Sequence, residues 1–423
     1  MTHRPSLSPV RPGPARPLSL APVALACALA LAGCGSDGGT DTPDGGTDTP
    51  VDGTRYAFVA GATPVTYDAG QIERLTLGDD IVSSGRTPAT ESDIRVASDG
   101  TDIYQIGRYN LDTLTRFAPD ALDTPVWQYS VNCTESAANP YEVVFASETK
   151  AYVIRYGSPF VWIVDPTATD EDAFRTGEID LSVYDVDGVP EASDAILVDG
   201  RLFVLMQRLE QVGQSLGAVK ESYVAVIDTA TDTEIAAGDG ADGLDGIRLD
   251  VRNAQSLQYL ESADEIYVVG SGNYFESLDV PGDPYTGGVA TIDPETYRSE
   301  LLIDDGTAED NRGFVVDALV LSPTQGYLVT LDGYNEDFSA DATLRAFDPL
   351  TGLVADGAVA GLEGRDISLL ALGPDERLWV GLADAVAPGF TLLDPSDDSV
   401  AVEFVPTEFN PNSIVFVDVP TED

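Results

Sequence analysis

The chain has 423 residues, 72 of them acidic against 22 lysines and arginines and a single histidine, for a formal charge of −50. Such a field repels nucleic acid and anionic membrane surfaces. The one histidine, His3, precedes an apolar stretch of the kind removed on export, so the working protein has no imidazole for Ser-His-Asp, Cys-His or histidine-ligated metal chemistry.

In chain order, His3, Arg4, Arg11 and Arg16 form a basic flank, and Leu18 to Leu31 is an apolar run too short to span about 30 Å of hydrocarbon with ease. The run ends in Leu31-Ala32-Gly33-Cys34, which resembles the lipobox of bacterial lipoproteins. That resemblance implies cleavage before Cys34, lipidation of its thiol and, with Gly35 and Ser36 following rather than aspartate, the outer membrane as destination. The expected organisation is a signal peptide over 1–33, a lipidated cysteine and tether over 34–54, and a folded domain over 55–423. The tether, rich in Gly, Asp, Thr and Pro, lacks the apolar residues to offset ordering entropy. Loss of Arg4, Arg11 and Arg16 leaves 19 basic residues against 72 acidic ones, about −53. The excess fits adaptation to a saline medium; attraction of divalent cations is the alternative. Cys27 leaves with the signal and Cys34 carries lipid, so Cys133 remains alone without a disulfide partner and is expected as a small buried apolar residue.

Beyond the tether the chain repeats itself. One apolar run, opened by a small polar or acidic residue, recurs at Asp93, Glu142, Asp194, Ser256, Asp317, Asp366 and Ser413, the last preceded by Asn412. A second run follows a short turn, as in AYVIRY, RLFVLM, EIYVVG, GYLVTL and RLWVGL, and a third ends in Asp-Pro or Asp-Thr. Aligning that end gives Thr76, Ala118, Asp165, Asp228, Asp293, Asp348 and Asp394, spaced by 42, 47, 63, 65, 55 and 46 residues. Short β-branched and aromatic segments at this spacing read as strands of propeller blades. The first copy lacks its opening strand and the last copy is that strand alone. The predicted fold is therefore an all-β, seven-bladed β-propeller in which Ser413 to Asp418 completes the blade begun by Tyr56 to Ala60. The segments AYVI, EIYVVG, GYLVT and RLWVG, with their Asp-Pro turns, resemble the YVTN or YncE-like seven-bladed propellers. The resemblance implies several functional classes: lipoproteins that sit on TonB-dependent transporters and capture cobalamin or iron-siderophore complexes, lactonases, and electron-transfer subunits. Fold does not select among them.

Two groups of candidate site residues follow from the phase of the repeat. Asp93, Glu142, Asp194, Asp317 and Asp366 are expected to ring one mouth of the axial channel, a place for a divalent cation such as calcium or simply a polar water channel. The loops after the second strands lie on the same face, three of them long: Gln207 to Ser222, Gly270 to Gly288 and Leu331 to Ala342. They carry Tyr109, Tyr156, Tyr274 and Tyr334, with Phe275, Tyr285, Phe338, Arg108, Arg155 and Arg208 nearby, the composition of a ligand- or partner-binding surface. The aspartates of the Asp-Pro turns are assigned to turn geometry, and the runs from Asp185 and Gly238 lack the spacing of a calcium loop. The leading functional expectation is non-catalytic capture of a small molecule. A protein scaffold of the envelope is second, and a metal-dependent lactonase-like hydrolase third.

Overall fold

A computed structural model of the chain describes residues 53–420 except 134–136, 213–214, 241, 274–281 and 311. Seven antiparallel sheets are arranged as the blades of a propeller. Blade 1 comprises Ile94–Ser98, Ile103–Gly107, Thr113–Phe117 and Trp127–Ser130, and blade 2 comprises Pro140–Ser147, Lys150–Arg155, Phe160–Val164 and Arg175–Asp180. Blade 3 is built on Ala192–Val198, Arg201–Met206, Tyr223–Asp228 and Thr233–Ile235, and blade 4 on Ala254–Leu260, Glu265–Gly270, Gly288–Ile292 and Ser299–Asp304. Blade 5 holds Phe314–Ser322, Gln325–Tyr334, Ala340–Asp348 and Leu353–Val354, and blade 6 holds Ile367–Leu372, Leu378–Leu382, Gly389–Asp394 and Ser399–Pro406.

Blade 7 closes the ring as the repeat predicts. Its innermost strand, Asn410–Pro420, pairs with Gly53–Ala62, with Tyr56 opposite Val417 and Ala60 opposite Ser413. Gly70–Thr76 and Val82–Arg86 complete it. The outermost strand of every blade escaped the sequence reading because it is an edge with one solvated side. Val82–Arg86, for example, reads VSSGR and is almost wholly exposed.

The inner three strands of a blade are apolar on both sides because each blade is packed between two neighbours. The buried apolar residues accordingly divide into one cluster per seam. Tyr104, Val153 and Trp162 join blades 1 and 2. Phe58, Ile94 and Phe117 join blades 7 and 1, and Trp379, Phe390 and Ile414 join blades 6 and 7. Among the described residues there is no single core, so stability rests on every seam being filled.

The Asp-Pro and Asp-Thr turns serve these seams. Asp165, Asp228, Asp293, Asp348 and Asp394 each accept, through Oδ1, the N–H two residues on, at 2.8–2.9 Å. In four of these turns the carbonyl of the next residue accepts a cation or amide from the preceding blade, and Pro119 after Ala118 does the same in blade 1. Arg74 reaches Pro119 O at 2.7 Å, Arg116 reaches Pro166 O at 3.3 Å, Lys150 reaches Thr229 O at 2.7 Å and Arg201 reaches Pro294 O at 2.7 Å. Gln325 does the same at Pro395 O.

Truncation after Phe409 removes the strand that closes the ring. The prediction is loss of cooperative thermal unfolding; a truncated chain that melts as sharply as the full one, by circular dichroism, contradicts the closure.

Candidate functional site

The channel is lined by the first strand of each blade, whose free edge would leave unpaired N–H and C=O groups. Polar side chains from the neighbouring blade meet that edge. The Val96 N–H donates to Ser413 Oγ (3.0 Å) and the Leu257 N–H to Asp194 Oδ2 (2.7 Å). Gln258 clasps Val320 through both its amide atoms, at 2.7 and 2.8 Å, and Asn412 donates to Ile94 O at 3.0 Å. Asp194 and Ser413, which open their repeats, are thus interblade straps, as are Gln258 and Asn412 beside the opening positions.

The register of these straps corrects the expected carboxylate ring. Six first strands carry a β-bulge, at Tyr141, Ser193, Gln255, Val316, Ser368 and Asn412, and blade 1 has none. Position by position, the channel residues are therefore Arg95, Glu142, Asp194, Ser256, Asp317, Leu369 and Ser413. Asp93 and Asp366 sit at the rim, where their carbonyls accept the N–H groups of Arg108 and Ala383. Among the described residues no three acidic or cysteine side chains converge on a point where a cation could sit. A one-residue bulge leaves no composition signal, so repeat alignment alone could not place Arg95 in the ring.

Arg95 is buried and donates to Tyr141 O at 3.0 Å. Its charge acts on two fully buried acids, Glu142 and Asp194. Burial, reinforced by Glu142, pushes the Asp194 carboxyl up to about 8, against the pull of Arg95 and two backbone N–H donors. Burial raises Glu142 as well, opposed first by Arg95. At the rim, burial lifts Glu191 to about 8, Asp305 to about 7 and Asp366 to about 6.

On the loop face the tyrosines and arginines separate. Arg155 is fully buried, donating to Val131 O and Ser158 Oγ at 2.9 Å and lying 4.3 Å over the Trp162 ring. Arg108, also buried, pairs with Asp93 at 3.1 Å and covers Tyr141 at 3.8 Å, and Tyr141 stacks on Tyr156 at 4.4 Å. The Tyr156 hydroxyl donates to Gln207 Oε1 at 2.9 Å, so this stack runs across blades 1, 2 and 3. Tyr156 is half-buried rather than exposed. Arg208 donates to Tyr184 O and Glu221 O and covers Tyr223. These arginines are seam residues. The third long loop shrinks to residues 335–339 because its flanking strands extend into it. Tyr274 and Phe275 lie outside the described residues.

Among the described residues the loop face also presents several large apolar side chains. Phe338 is 81% exposed, Val386 90%, Val65 69%, Val186 96% and Tyr109 53%; Leu216 and Tyr334 are exposed too. Two of these tips are held in left-handed backbone, Phe338 at φ 68° and Val65 at φ 67°, a region unfavourable for a bulky or β-branched residue. Side chains lock both turns. Thr63 and Thr66 hydroxyls donate to Asp68 Oδ1 at 2.8 and 2.7 Å. Asn335 and Ser339 bond each other, and the Ser339 hydroxyl donates to Asp337 at 2.7 Å.

Other candidates are smaller. The acidic run from Asp185 holds the Lys220 ammonium, 3.0 Å from both Asp185 oxygens, where a calcium loop would hold its ion. A cleft of about 240 Å³ between blades 3 and 4 is lined by Glu221, Arg248, Asp250, Arg252, Tyr285 and Asp304, and in it Arg252 is paired with Glu221 at 3.3 Å. Cys133, expected inside, is exposed on the loop joining blades 1 and 2, where its neighbours Val131 and Asn132 are bonded to Asp112 and Val131 O also accepts from Arg155.

No protein-family model matches the sequence, and no curated protein matches it. Among solved structures the chain is similar to a candidate 6-phosphogluconolactonase of Bacteroides uniformis, at 12% identity and a TM-score of 0.57 over 86% of this chain and all of that one. A Lactobacillus plantarum protein aligns at 12% identity and a TM-score of 0.51, covering 86% of this chain and 99% of its own. Apo AztD of Citrobacter koseri aligns at 12% identity and 0.50, covering 88% and 100%. At such identities the likeness establishes the propeller fold, shared with proteins of different activities, and carries no function with it.

The buried acids set a pH dependence. Asp194 in the folded chain keeps its proton up to about 8, whereas in the unfolded chain it loses it near the ordinary carboxylate value of about 4. The folded state then holds more protons between those values, and stability falls as pH rises through that window. Glu142→Gln retains the acceptor for the Val143 N–H and removes the charge that reinforces the Asp194 shift. The drop in melting temperature between pH 6 and pH 8.5 should shrink in this variant. An unchanged or larger drop contradicts the assignment.

Proposed function

We propose that this chain is a lipid-anchored propeller of the bacterial outer membrane whose loop face docks a protein partner without catalysing a reaction. The observation that carries the reading is the display of Phe338 and Val65: large apolar side chains, solvent-exposed, in locked left-handed turns that a glycine or asparagine would form at lower cost. Folding gives no reason for these residues, whereas preorganised apolar anchors are what a protein interface uses. Small-molecule capture by the tyrosine and arginine loops is less well supported, because Arg108 and Arg155 are committed to the interior and the cleft beside Arg252 is small and internally paired. The metal-dependent hydrolase loses support with the carboxylate ring.

The anchor fits this geometry. Gly53 begins the strand that ends at the loop face, and Pro420 ends the strand that begins there, so both lie on the opposite side of the ring. The sequence from Gly35 to Thr54 has the Gly-, Asp-, Thr- and Pro-rich composition of a linker, so a lipid on Cys34 holds the domain by its back and leaves the loops facing away. The Leu-Ala-Gly-Cys run supports lipidation.

Isolation of the tagged, lipidated protein in mild detergent tests the reading. An envelope protein should co-purify in stoichiometric amount with the wild type and with Leu350→Ser on the opposite side, and fall at least roughly tenfold with Phe338→Ser plus Val65→Asn, as loss of two central anchors implies. Undiminished recovery with the double variant contradicts it.

A further inference from the structure

Phe338, Val386 and Val65 project from blades 5, 6 and 7, three consecutive blades, and carboxylates stand beside them. Asp337 precedes Phe338, Asp384 precedes Val386 by two residues and Asp68 follows Val65 by three. All three are exposed at the surface, and hydrogen bonds hold their carboxyls below the usual range: Asp337 by Ser339, Asp384 by the Ala387 and Val386 N–H groups, and Asp68 by Thr66 and Thr63. The field they make reaches inward, since Asp337 and Asp384 both act on Asp366 between them. Arg365 is the cation felt by Asp384, and the two lysines of the described residues are paired elsewhere, Lys150 with Asp232 and Lys220 with Asp185. The sector therefore alternates rigid apolar tips with fixed negative charge.

We infer that the partner meets this sector with a cationic segment in which arginine or lysine side chains alternate with apolar sockets. The sockets receive Phe338, Val386 and Val65, and the cations face Asp337, Asp384 and Asp68. An acidic surface would be rejected by like-charge contact, and anionic lipid headgroups are repelled for the same reason. Opposite charge also speeds encounter, so association slows as salt rises. The inference rests on the protein-docking reading and adds the partner's chemistry.

A photoreactive benzoylphenylalanine in place of Phe338, carried by the full lipidated chain in cells that make it, reads the contact directly. The segment it captures should bear net positive charge by mass spectrometry. Combining the probe with Asp337→Asn and Asp384→Asn, which keep the acceptor oxygens of both turns, should lower the yield roughly fivefold, the effect of two exposed ion pairs. Capture of a neutral or acidic protein segment, or a yield indifferent to the two substitutions, overturns the cationic partner and leaves docking intact. Capture of lipid, or of no macromolecule from positions 338, 65 and 386 alike, overturns docking itself.

Discussion

The seam between neighbouring blades is the interaction on which everything else depends. A blade alone has two apolar faces and cannot bury either, so the ring exists only while each seam is filled and closed. In a chain this acidic, charge repulsion works against closure, and the distribution of cations offsets it. Arg74, Arg116, Lys150 and Arg201 cross to backbone carbonyls of the next blade at the turn side. Arg95 crosses in the channel, and Arg108 acts through Tyr141 on the loop side. Hydrogen bonds from charged donors to carbonyls of this kind are each worth about 1.5–3 kcal/mol, more than exposed ion pairs. Cations are gathered at seams while most acids face water, which explains how so large a net charge coexists with a closed ring.

The same arrangement decides how much could be read from the sequence. Strands buried on both sides announce themselves as apolar runs, and the missing first strand at one end with its surplus copy at the other makes closure legible in the sequence itself. The outer strands are legible only weakly, because VSSGR and similar edges carry no apolar pattern. Bulges are invisible: the extra residue at Tyr141, Ser193 or Gln255 shifts one position against its partner without altering composition. That is why the repeat aligns Asp93 and Asp366 with Glu142, while Arg95 and Leu369 hold the equivalent places. Arginines beside tyrosines look the same in sequence whether they stack inward, as Arg108 does on Tyr141, or stand at a surface. The left-handed turns at Val65 and Phe338 had no signal either, since neither residue favours that conformation. A locally disfavoured residue held by its surroundings is the kind of inconsistency that marks a functional position.

In the proposed reading, a rigid ring with its ends on one side and its loops on the other separates attachment from recognition. The seams hold the loop bases in register, and short side-chain networks around Asp68 and Asp337 hold the tips, so anchors distributed over several blades keep fixed relative positions. A face preorganised in this way loses little entropy on binding. The polar stack from Asp93 to Gln207 stiffens blades 1 to 3 in the same sense, joining their loop bases through aromatic and ionic contacts rather than offering them to a ligand.

Hydroxyl-radical footprinting of the protein in its own membranes, set against the purified domain, is the most direct measure of whether the loop face is occupied. Phe338 and Tyr109 should be labelled strongly in the purified domain and protected in the membrane, with Leu350 and Leu353 on the far side labelled alike in both. Equal labelling of Phe338 and Tyr109 in the two preparations, or protection confined to Leu350 and Leu353, would contradict the docking face.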